Sequence, residues 1–143
     1  MGTPSTPSTP EDGIRRTIAL YAQMLDDGRF AEWADLFTED TRFLVADQTH
    51  QGRQAAAAFI EAVQPPEARG RHACMPPVID LAEDRRTARA VTDYLFFRAD
   101  GAVSSMGRYH DELALGDDDR WRFTTREIVF QGDQPVGRQP EPG

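Results

Sequence analysis

Hydrophobic residues recur along the first part of the chain with the spacing of one face of an α-helix. They lie three or four residues apart: Ile14, Ile18, Tyr21 and Leu25. Such a stripe predicts an amphipathic helix whose apolar side packs against a core. Thr9 is a suitable N-cap for this helix, and Pro10 fits its first turn. Gly28 is suited to the position just after the end of the helix. The sequence therefore predicts a first helix from about residue 10 to just before Gly28.

Two further helices and a strand are predicted before the middle of the chain. Residues 30–37 (FAEWADLF) place their aromatic residues on one side of a short helix. Residues 41–47 (TRFLVAD) form a strand. Residues 53–63 (RQAAAAFIEAV) form a third helix, which stops at Pro65-Pro66 because proline lacks the N–H that a helix interior needs.

From residue 71 onward the apolar positions alternate, a period of two that is typical of strands. Four strands are predicted, at about residues 72–81, 87–98, 103–115 and 120–131, with turn residues between them. Pro76 and Pro77 remove backbone donors, so the first of these strands should lie at an edge or carry a bulge. Long antiparallel strands after a helical first half predict an α+β fold, in which three helices wrap a curved sheet and enclose a pocket.

The chain length suits one domain with a single core. We expect this domain at residues 10–131, between a disordered Pro/Ser/Thr-rich tail at residues 1–9 and a flexible tail at residues 132–143. Apolar runs are too short to span a membrane and the N-terminus lacks the layout of a signal peptide, so a cytoplasmic protein is expected. The lone Cys74 excludes an internal disulfide.

Charge and missing residue types narrow the function. The net charge of -8 argues against nucleic acid as a partner, because phosphate binding needs a basic surface. All basic residues are Arg, which removes lysine Schiff-base chemistry and the P-loop lysine. A glycine-rich phosphate loop is absent from the sequence, so no nucleotide cofactor is expected. The histidines are His50 in a polar loop, His72 and His110; nothing brings them to metal-ligand spacing, so no metal is expected.

Several segments carry a resemblance to a known family. They are IALYAQMLDDGRFAEWADLFTED, Gly52-Arg53, Arg71-His72, GRYHDEL and WRFTTREI, within about residues 11–130. Together they resemble the SnoaL-like branch of the nuclear transport factor 2-like (NTF2-like) superfamily, whose members are cone-shaped α+β structures with an internal cavity. The superfamily includes polyketide cyclases, scytalone dehydratase, a bile-acid dehydratase, a dehydrochlorinase and steroid isomerases, and also non-catalytic transport and scaffold subunits. The resemblance thus predicts the fold more directly than the function.

Asp26 and His72 are the leading candidates for acid–base chemistry. Asp26 falls at the end of the first helix, where a carboxylate meets the negative end of the helix dipole, an unfavourable placement that a functional site tolerates. Imidazole can take up a proton near neutral pH, and an adjacent carboxylate orients it. The resemblance implies that Asp26 orients a catalytic His72 and that Tyr21 stabilises an enolate. The alternatives are a polar turn at Asp26, a core imidazole at His72 and a core aromatic at Tyr21.

Substrate contacts are expected from a second group of side chains: Trp33, Tyr94, Phe96, Tyr109 and Arg126. The family register turns one face of two late strands toward the cavity, with these residues inward: Thr92, Tyr94, Phe96, Ser105, Gly107, Tyr109 and Asp111. For Arg126 the resemblance implies a cavity residue that clamps a leaving group or an anionic oxygen. A salt bridge at the sheet rim is the alternative, and Asp111 is a candidate partner for Arg126 or Arg108.

Two functions remain open. The leading one is a cofactor-independent dehydratase, isomerase or cyclase, in which His72, held by Asp26, removes a proton next to the carbonyl of a small hydrophobic or polyketide-like metabolite. The second is a non-catalytic small-molecule-binding or scaffold protein with the same cavity. A homodimer through the outer sheet face is expected, with a trimer as the alternative, because apolar side chains are assigned to that face: Val91, Leu95, Phe97, Leu113 and Leu115.

Overall fold

A computed structural model of the protein describes residues 9–131. Within this range the helices are α1 (Pro10–Asp26), α2 (Phe30–Ala34) and α3 (Arg53–Val63), with a short 3-10 turn at Pro66–Ala68. The strands are β1 (Phe37–Val45), β2 (Gln48–Gln51), β3 (Gly70–Cys74), β4 (Val78–Leu81), β5 (Thr87–Arg98), β6 (Val103–Leu115) and β7 (Trp121–Phe130). The tails predicted at the two ends lie outside the described residues, except for Thr9.

Helix α1 forms as the sequence predicts. The Thr9 Oγ1 accepts a hydrogen bond from the backbone N–H of Asp12 at 3.0 Å, which caps the first turn. Gly28 follows the helix with φ of 72°, in the left-handed region that favours glycine, and its N–H is bonded to the Leu25 carbonyl. The predicted stripe is buried against the sheet, with Ile14 fully covered. Its C-terminal end therefore lies over the interior of the fold.

The sheet is mixed and curved. Its strand order is β2-β1-β7-β6-β5-β3, and β4 also pairs with β5. Strands β1 and β7 run parallel, and the other neighbouring pairs are antiparallel. Over the described residues the sheet stays open rather than closing into a barrel. The predicted α+β fold, with helices covering one face of a curved sheet, is confirmed.

Two predictions about strands need correction. The strand expected over residues 72–81 is two strands, β3 and β4. Strand β3 pairs with residues 94–98 of β5, and β4 pairs with residues 88–91 of the same strand. The break falls at Pro76-Pro77, since neither residue can donate to the ladder. The chain also forms β2, which was not predicted; it pairs with a β1 that begins at Phe37, so Phe37 belongs to this strand and not to the second helix.

His50 belongs to β2, whereas the sequence placed it in a polar loop. Its ring stacks on Phe59 of α3, with ring centroids 4.1 Å apart. The alternation on β5 and β6 follows the predicted register, and all the residues predicted to face inward are buried. Leu113 and Leu115 are exceptions among the outward predictions, because both share the alternation of Tyr109 and Asp111: Leu113 is 1 % exposed in the core, and Leu115 packs against it.

Aromatic rings fill the centre of the fold beneath α1 and α2. Trp33, Phe37, Phe43 and Phe123 are fully buried, and the Trp33 and Phe37 ring centroids lie 4.6 Å apart. Each such side chain contributes about 1.5–3 kcal/mol through removal of apolar surface from water. This cluster supports the helix end that carries Asp26. None of the helices in the described range is long and apolar enough to cross a membrane.

Candidate active site

A cavity of about 270 Å³ lies between α1, α3 and the inner face of the sheet. Its wall is mostly aromatic and aliphatic, and the residues that shape its interior are Tyr21, Leu25, Phe43, Phe59, Ile60, His72, Tyr94, Phe96, Ser105, Tyr109, Ile128 and Phe130. Gln48 and Val63 are exposed members of the wall and mark where the cavity meets solvent. Among the described residues, no carboxylate or guanidinium lines it, and His72 is its one imidazole.

Asp26 and His72 are in direct contact at the cavity wall. The Asp26 Oδ1 lies 2.6 Å from the Nδ1 of His72, and the Oδ2 accepts the His72 backbone N–H at 2.8 Å. The two side chains are 6 % and 9 % exposed. This arrangement arises because β3 passes the C-terminal end of α1. Because the Asp26 carboxylate contacts both the backbone N–H and the ring Nδ1 of His72, it fixes the orientation of the imidazole ring.

The contact also determines which ring nitrogen is available for chemistry. In the neutral imidazole, a proton on Nδ1 that is donated to the carboxylate leaves the Nε2 of His72 as the acceptor nitrogen. Nε2 makes no hydrogen bond to any described residue, and its ring packs against Phe96 at a centroid distance of 4.6 Å. The proline break falls after Cys74, so the ladder that pairs His72 with Phe96 is intact. The arrangement can therefore accept a proton from a molecule in the cavity.

Tyr94 and Tyr109 form a stacked pair on the cavity wall. Their ring centroids are 4.5 Å apart and their planes differ by 7°. The Tyr94 hydroxyl lies 3.2 Å from the Ser105 Oγ, a polar group that was assigned inward but to which no role was given. Gly107 makes room for this pair, since a Cβ there would lie 2.8 Å from the Tyr94 ring. The stack and its hydroxyls thus depend on a residue with no side chain.

Tyr21 reaches the wall from α1 and lies beside Tyr109. It is 1 % exposed, and its ring contacts that of Tyr109 at a centroid distance of 5.7 Å. Burial raises the pKa of Tyr21, Tyr94 and Tyr109 above the ordinary phenol value, so these hydroxyls stay protonated at neutral pH. Each can donate a hydrogen bond to an oxygen in the cavity, as an oxyanion requires.

Arg126 and Trp33 do not line the cavity, although the sequence predicted substrate contacts for both. Arg126 is fully buried behind Tyr21 and Tyr109, and its guanidinium forms two hydrogen bonds to Asp111, at 2.7 and 2.8 Å. The alternative of a salt bridge, with Asp111 as the partner, is correct, but the pair lies inside the protein and not at the sheet rim. Trp33 is fully buried in the aromatic core, where it packs on Tyr21 and Phe37.

Sequence reasoning missed several parts of the wall. Phe43 comes from β1 and Gln48 from the unpredicted β2, whose position in the sheet the sequence did not reveal. Ser105 was predicted on the inner face by the alternation that it shares with Tyr109, but it was not among the predicted substrate contacts. A metal centre would need three or more clustered ligands, and residues 9–131 contain no such group of His, Cys, Asp or Glu.

Comparison with known proteins identifies the family of this chain. The model of the SnoaL-like domain matches residues 8–127 of the chain. The chain belongs to the SnoaL-like domain family. The resemblance predicted from its motifs is thus confirmed. A comparison with curated proteins gives no match.

Solved structures similar to this SnoaL-like protein share its fold at low sequence identity. ActVI-ORFA from Streptomyces coelicolor is 22 % identical, with a TM-score of 0.73, and the match covers 83 % of this chain and 95 % of that one. A protein provisionally named scytalone dehydratase, from Novosphingobium aromaticivorans, is 23 % identical, with a TM-score of 0.73 and coverage of 90 % and 93 %. An NTF2-like protein with a cystatin-like fold from the same organism is 23 % identical, with a TM-score of 0.76 and coverage of 89 % and 86 %.

Proposed function

We propose that this SnoaL-like protein is a cofactor-independent enzyme that removes a proton from a carbon next to a carbonyl. The observation that carries the proposal is the contact of Asp26 with both the ring and the backbone of His72, which lies on the wall of an aromatic cavity. A general base must present an unprotonated atom to the substrate and must be oriented from behind. Nε2 of His72 meets the first requirement and Asp26 the second.

The reaction begins with one proton transfer. The Nε2 of His72 takes the proton, the C–H electron pair moves toward the carbonyl, and the negative charge collects on the carbonyl oxygen. Hydrogen bonds from protonated phenols such as Tyr21 and Tyr109 stabilise that oxygen. The imidazolium, held beside Asp26, then returns its proton to a departing hydroxyl, which gives dehydration, or to a different carbon, which gives isomerisation. If the enolate carbon instead attacks a second carbonyl of the same molecule, a C–C bond forms, the new alkoxide takes the proton from the imidazolium, and the outcome is cyclisation.

The cavity indicates a small, hydrophobic and uncharged substrate. Its volume of about 270 Å³ lies near the lower end of the range for ligand pockets, roughly 300–1,000 Å³. Aromatic rings and a few hydroxyls line the cavity. Its described wall has no Arg side chain that could pair with a carboxylate or phosphate group of a substrate. A carbonyl-bearing metabolite of the polyketide type fits these features, and the SnoaL-like family includes polyketide cyclases and dehydratases.

A non-catalytic binding or scaffold protein is the second candidate. Such a protein needs the cavity but has no use for a carboxylate aligned on an imidazole. The distances of 2.6 and 2.8 Å between Asp26 and His72 support the enzyme over this alternative. His72 lies in a largely apolar wall with the nearly buried Asp26 in direct contact with it, a placement that catalysis explains and simple hydrophobic binding does not require.

The proposal can be tested without knowing the natural substrate. We expect the protein to catalyse exchange of the protons next to the carbonyl of 2-tetralone, a small aromatic ketone, with deuterium from heavy water. His72→Ala should lower the exchange rate by about 10²–10⁴-fold, the usual contribution of a general base. His110→Ala is the matched control, because His110 is exposed on β6 with its side chain on the face opposite Tyr109. Equal rates in the three proteins would contradict the proposal.

A homodimer through the outer sheet face is part of the same proposal. Apolar residues on neighbouring strands remain accessible there: Met106 is 41 % and Val129 44 % exposed. Leu95 lies directly opposite Met106 across the β5–β6 ladder, which makes the apolar surface continuous across strands. A second copy of the chain would remove this surface from water. The cavity lies on the other face and is not needed for the contact.

A further inference from the structure

The proton-transfer scheme leaves one buried ion pair without a role. Asp111 and Arg126 are both inside the protein, with their side chains 0 % exposed, and they lie directly opposite one another on β6 and β7. The guanidinium carbon lies 3.8 Å from the ring centroid of Tyr109, 4.2 Å from that of Tyr21 and 4.3 Å from that of Phe123. Two of these three rings belong to tyrosines that line the cavity.

Stability alone does not explain this pair. Removing two charges from water is unfavourable, and apolar residues of similar volume often serve as well or better in a protein core. The Nη1 of Arg126 also lacks a hydrogen-bond partner among the described residues, so the guanidinium is not fully satisfied where it lies. The arrangement therefore suggests that a positive charge is held here for another purpose.

The orientation of the pair determines its effect on the cavity. The positive end contacts the faces of the Tyr21 and Tyr109 rings, as a cation–π contact requires. Arg126 lowers the pKa of Tyr21 against the larger effect of burial, whereas Asp111 raises it by the smallest of the contributions. For Tyr109, Arg126 again opposes burial. The tyrosines thus experience a net positive potential from the pair, although the cavity wall itself carries no cation in the described chain.

We propose that Arg126 is a positioning residue that acts through Tyr21 and Tyr109 and strengthens their hydroxyls as hydrogen-bond donors to an oxyanion in the cavity. Asp111 holds the guanidinium against the two rings and keeps it out of the cavity. A positive charge behind a phenol makes its O–H a stronger donor, and the benefit grows as negative charge develops on the acceptor oxygen. This inference rests on the proposed function, because it needs a carbonyl oxygen that gains charge.

The test uses acetophenone labelled with ¹³C at the carbonyl as a cavity ligand. Infrared spectroscopy of the bound ketone reports the field on its oxygen, since stronger donors and positive potential move the C=O stretch to lower wavenumber. We expect the double variant Asp111→Leu with Arg126→Met to move the stretch to higher wavenumber, in the same direction as Tyr21→Phe, although both tyrosine hydroxyls are kept. Its affinity for acetophenone should fall by about fivefold, the equivalent of one weakened hydrogen bond.

Two further variants separate electrostatics from packing. Phe123→Leu removes the third ring around the guanidinium but keeps the charge, and it should leave the stretch unchanged. Asp111→Asn with Arg126→Gln replaces the ion pair by a neutral hydrogen-bonding pair; it should shift the stretch like the apolar double variant and replaces that variant if the latter does not fold.

A stretch in both charge-free variants equal to that of the wild type would overturn the inference, even if 2-tetralone exchange still depends on His72. Conversely, failure of acetophenone to enter the cavity would contradict both the inference and the proposed function. A wild-type protein that does not catalyse 2-tetralone exchange, in a series where the charge-free variants shift the C=O stretch as expected, would contradict the proposed function alone. These outcomes thus separate the electrostatic effect of Arg126 on the tyrosines from the role of His72 as the general base.

Discussion

Asp26 contacts His72 through both carboxylate oxygens, one on the ring Nδ1 and one on the backbone N–H. The second bond ties the carboxylate to the strand backbone as well as to the imidazole, so this part of the contact does not depend on the rotamer of the His72 side chain. Since Asp26 is the last residue of α1 and His72 the third of β3, the pair also joins the helix to the sheet edge.

We predict that none of the tyrosines ionises in the folded protein near pH 10. Tyr21, Tyr94 and Tyr109 are all the tyrosines of the chain, and burial raises the pKa of each. A raised pKa means that the folded state holds the proton more tightly than the unfolded chain. Its contribution to stability is complete below about pH 10, the ordinary phenol pKa, and is lost as the pH rises toward the folded value.

Near-ultraviolet absorbance of tyrosinate, followed together with far-ultraviolet circular dichroism, checks this prediction. Both signals should change in the same alkaline transition, because the tyrosines become ionisable when the protein unfolds. In urea, the same titration should show a simple phenol transition at about pH 10. A tyrosinate signal that appears at that pH while the native circular dichroism persists would contradict the burial of these hydroxyls.

We predict that breaking the buried ion pair destabilises the protein far more than removing it. Asp111→Ala leaves the Arg126 guanidinium buried without its carboxylate and should lower the free energy of unfolding by about 3–5 kcal/mol. The double variant Asp111→Leu with Arg126→Met buries no charge and should lose much less. Urea denaturation of the two variants measures the difference.

Glu32→Ala is the control for this prediction. It breaks the Arg29–Glu32 pair at the start of α2, whose side chains are about half exposed, and should hardly change stability. Equal losses from Asp111→Ala and from the double variant would show that packing, and not an unpaired charge, governs this site.

We predict that the protein is a dimer whose two copies meet through the outer sheet face. Met106→Glu and Val129→Glu place a charge in the exposed apolar surface and should give monomers, because like charges would face each other across the interface. Gln23→Glu, an equally charged change on the exposed side of α1, should leave the dimer intact. Light scattering after size-exclusion chromatography measures the mass. A monomeric wild-type protein would refute the proposal, and a trimer would require a different symmetry.

The regular elements of this fold could be predicted from periodicity. The stripe through Ile14 and Leu25 determines α1, and alternation on β5 and β6 places Tyr94 and Tyr109 on the inner face. The hairpin of β1 and β2 could not be predicted in this way. Its two-residue turn is Ala46-Asp47, and although Asp is a common turn residue, the left-handed φ of 55° falls on Ala46, a residue with no preference for that region.

The depth of Arg126 shows a second limit. Strict alternation from Trp121 and Phe123 would turn Arg126 outward, but the pairing of β7 with β6 skips Thr124 and reverses the alternation beyond it. A bulge of this kind changes the face of every later residue and has no clear sequence signal. Family resemblance therefore gave the inward direction of Arg126, but only the structure shows that Tyr21 and Tyr109 lie between it and the cavity.

Deuterium exchange of 2-tetralone in Asp26→Asn and Asp27→Asn tests the central claim most directly. The two residues are neighbours, but Asp26 contacts the ring of His72 whereas the exposed Asp27 does not. An amide at position 26 cannot stabilise the imidazolium as a carboxylate does, so Asp26→Asn should slow exchange by about 10²-fold or more while keeping the fold and ketone binding. Asp27→Asn should exchange at the wild-type rate. Similar exchange rates in Asp26→Asn and the wild-type protein would contradict an Asp26–His72 general base.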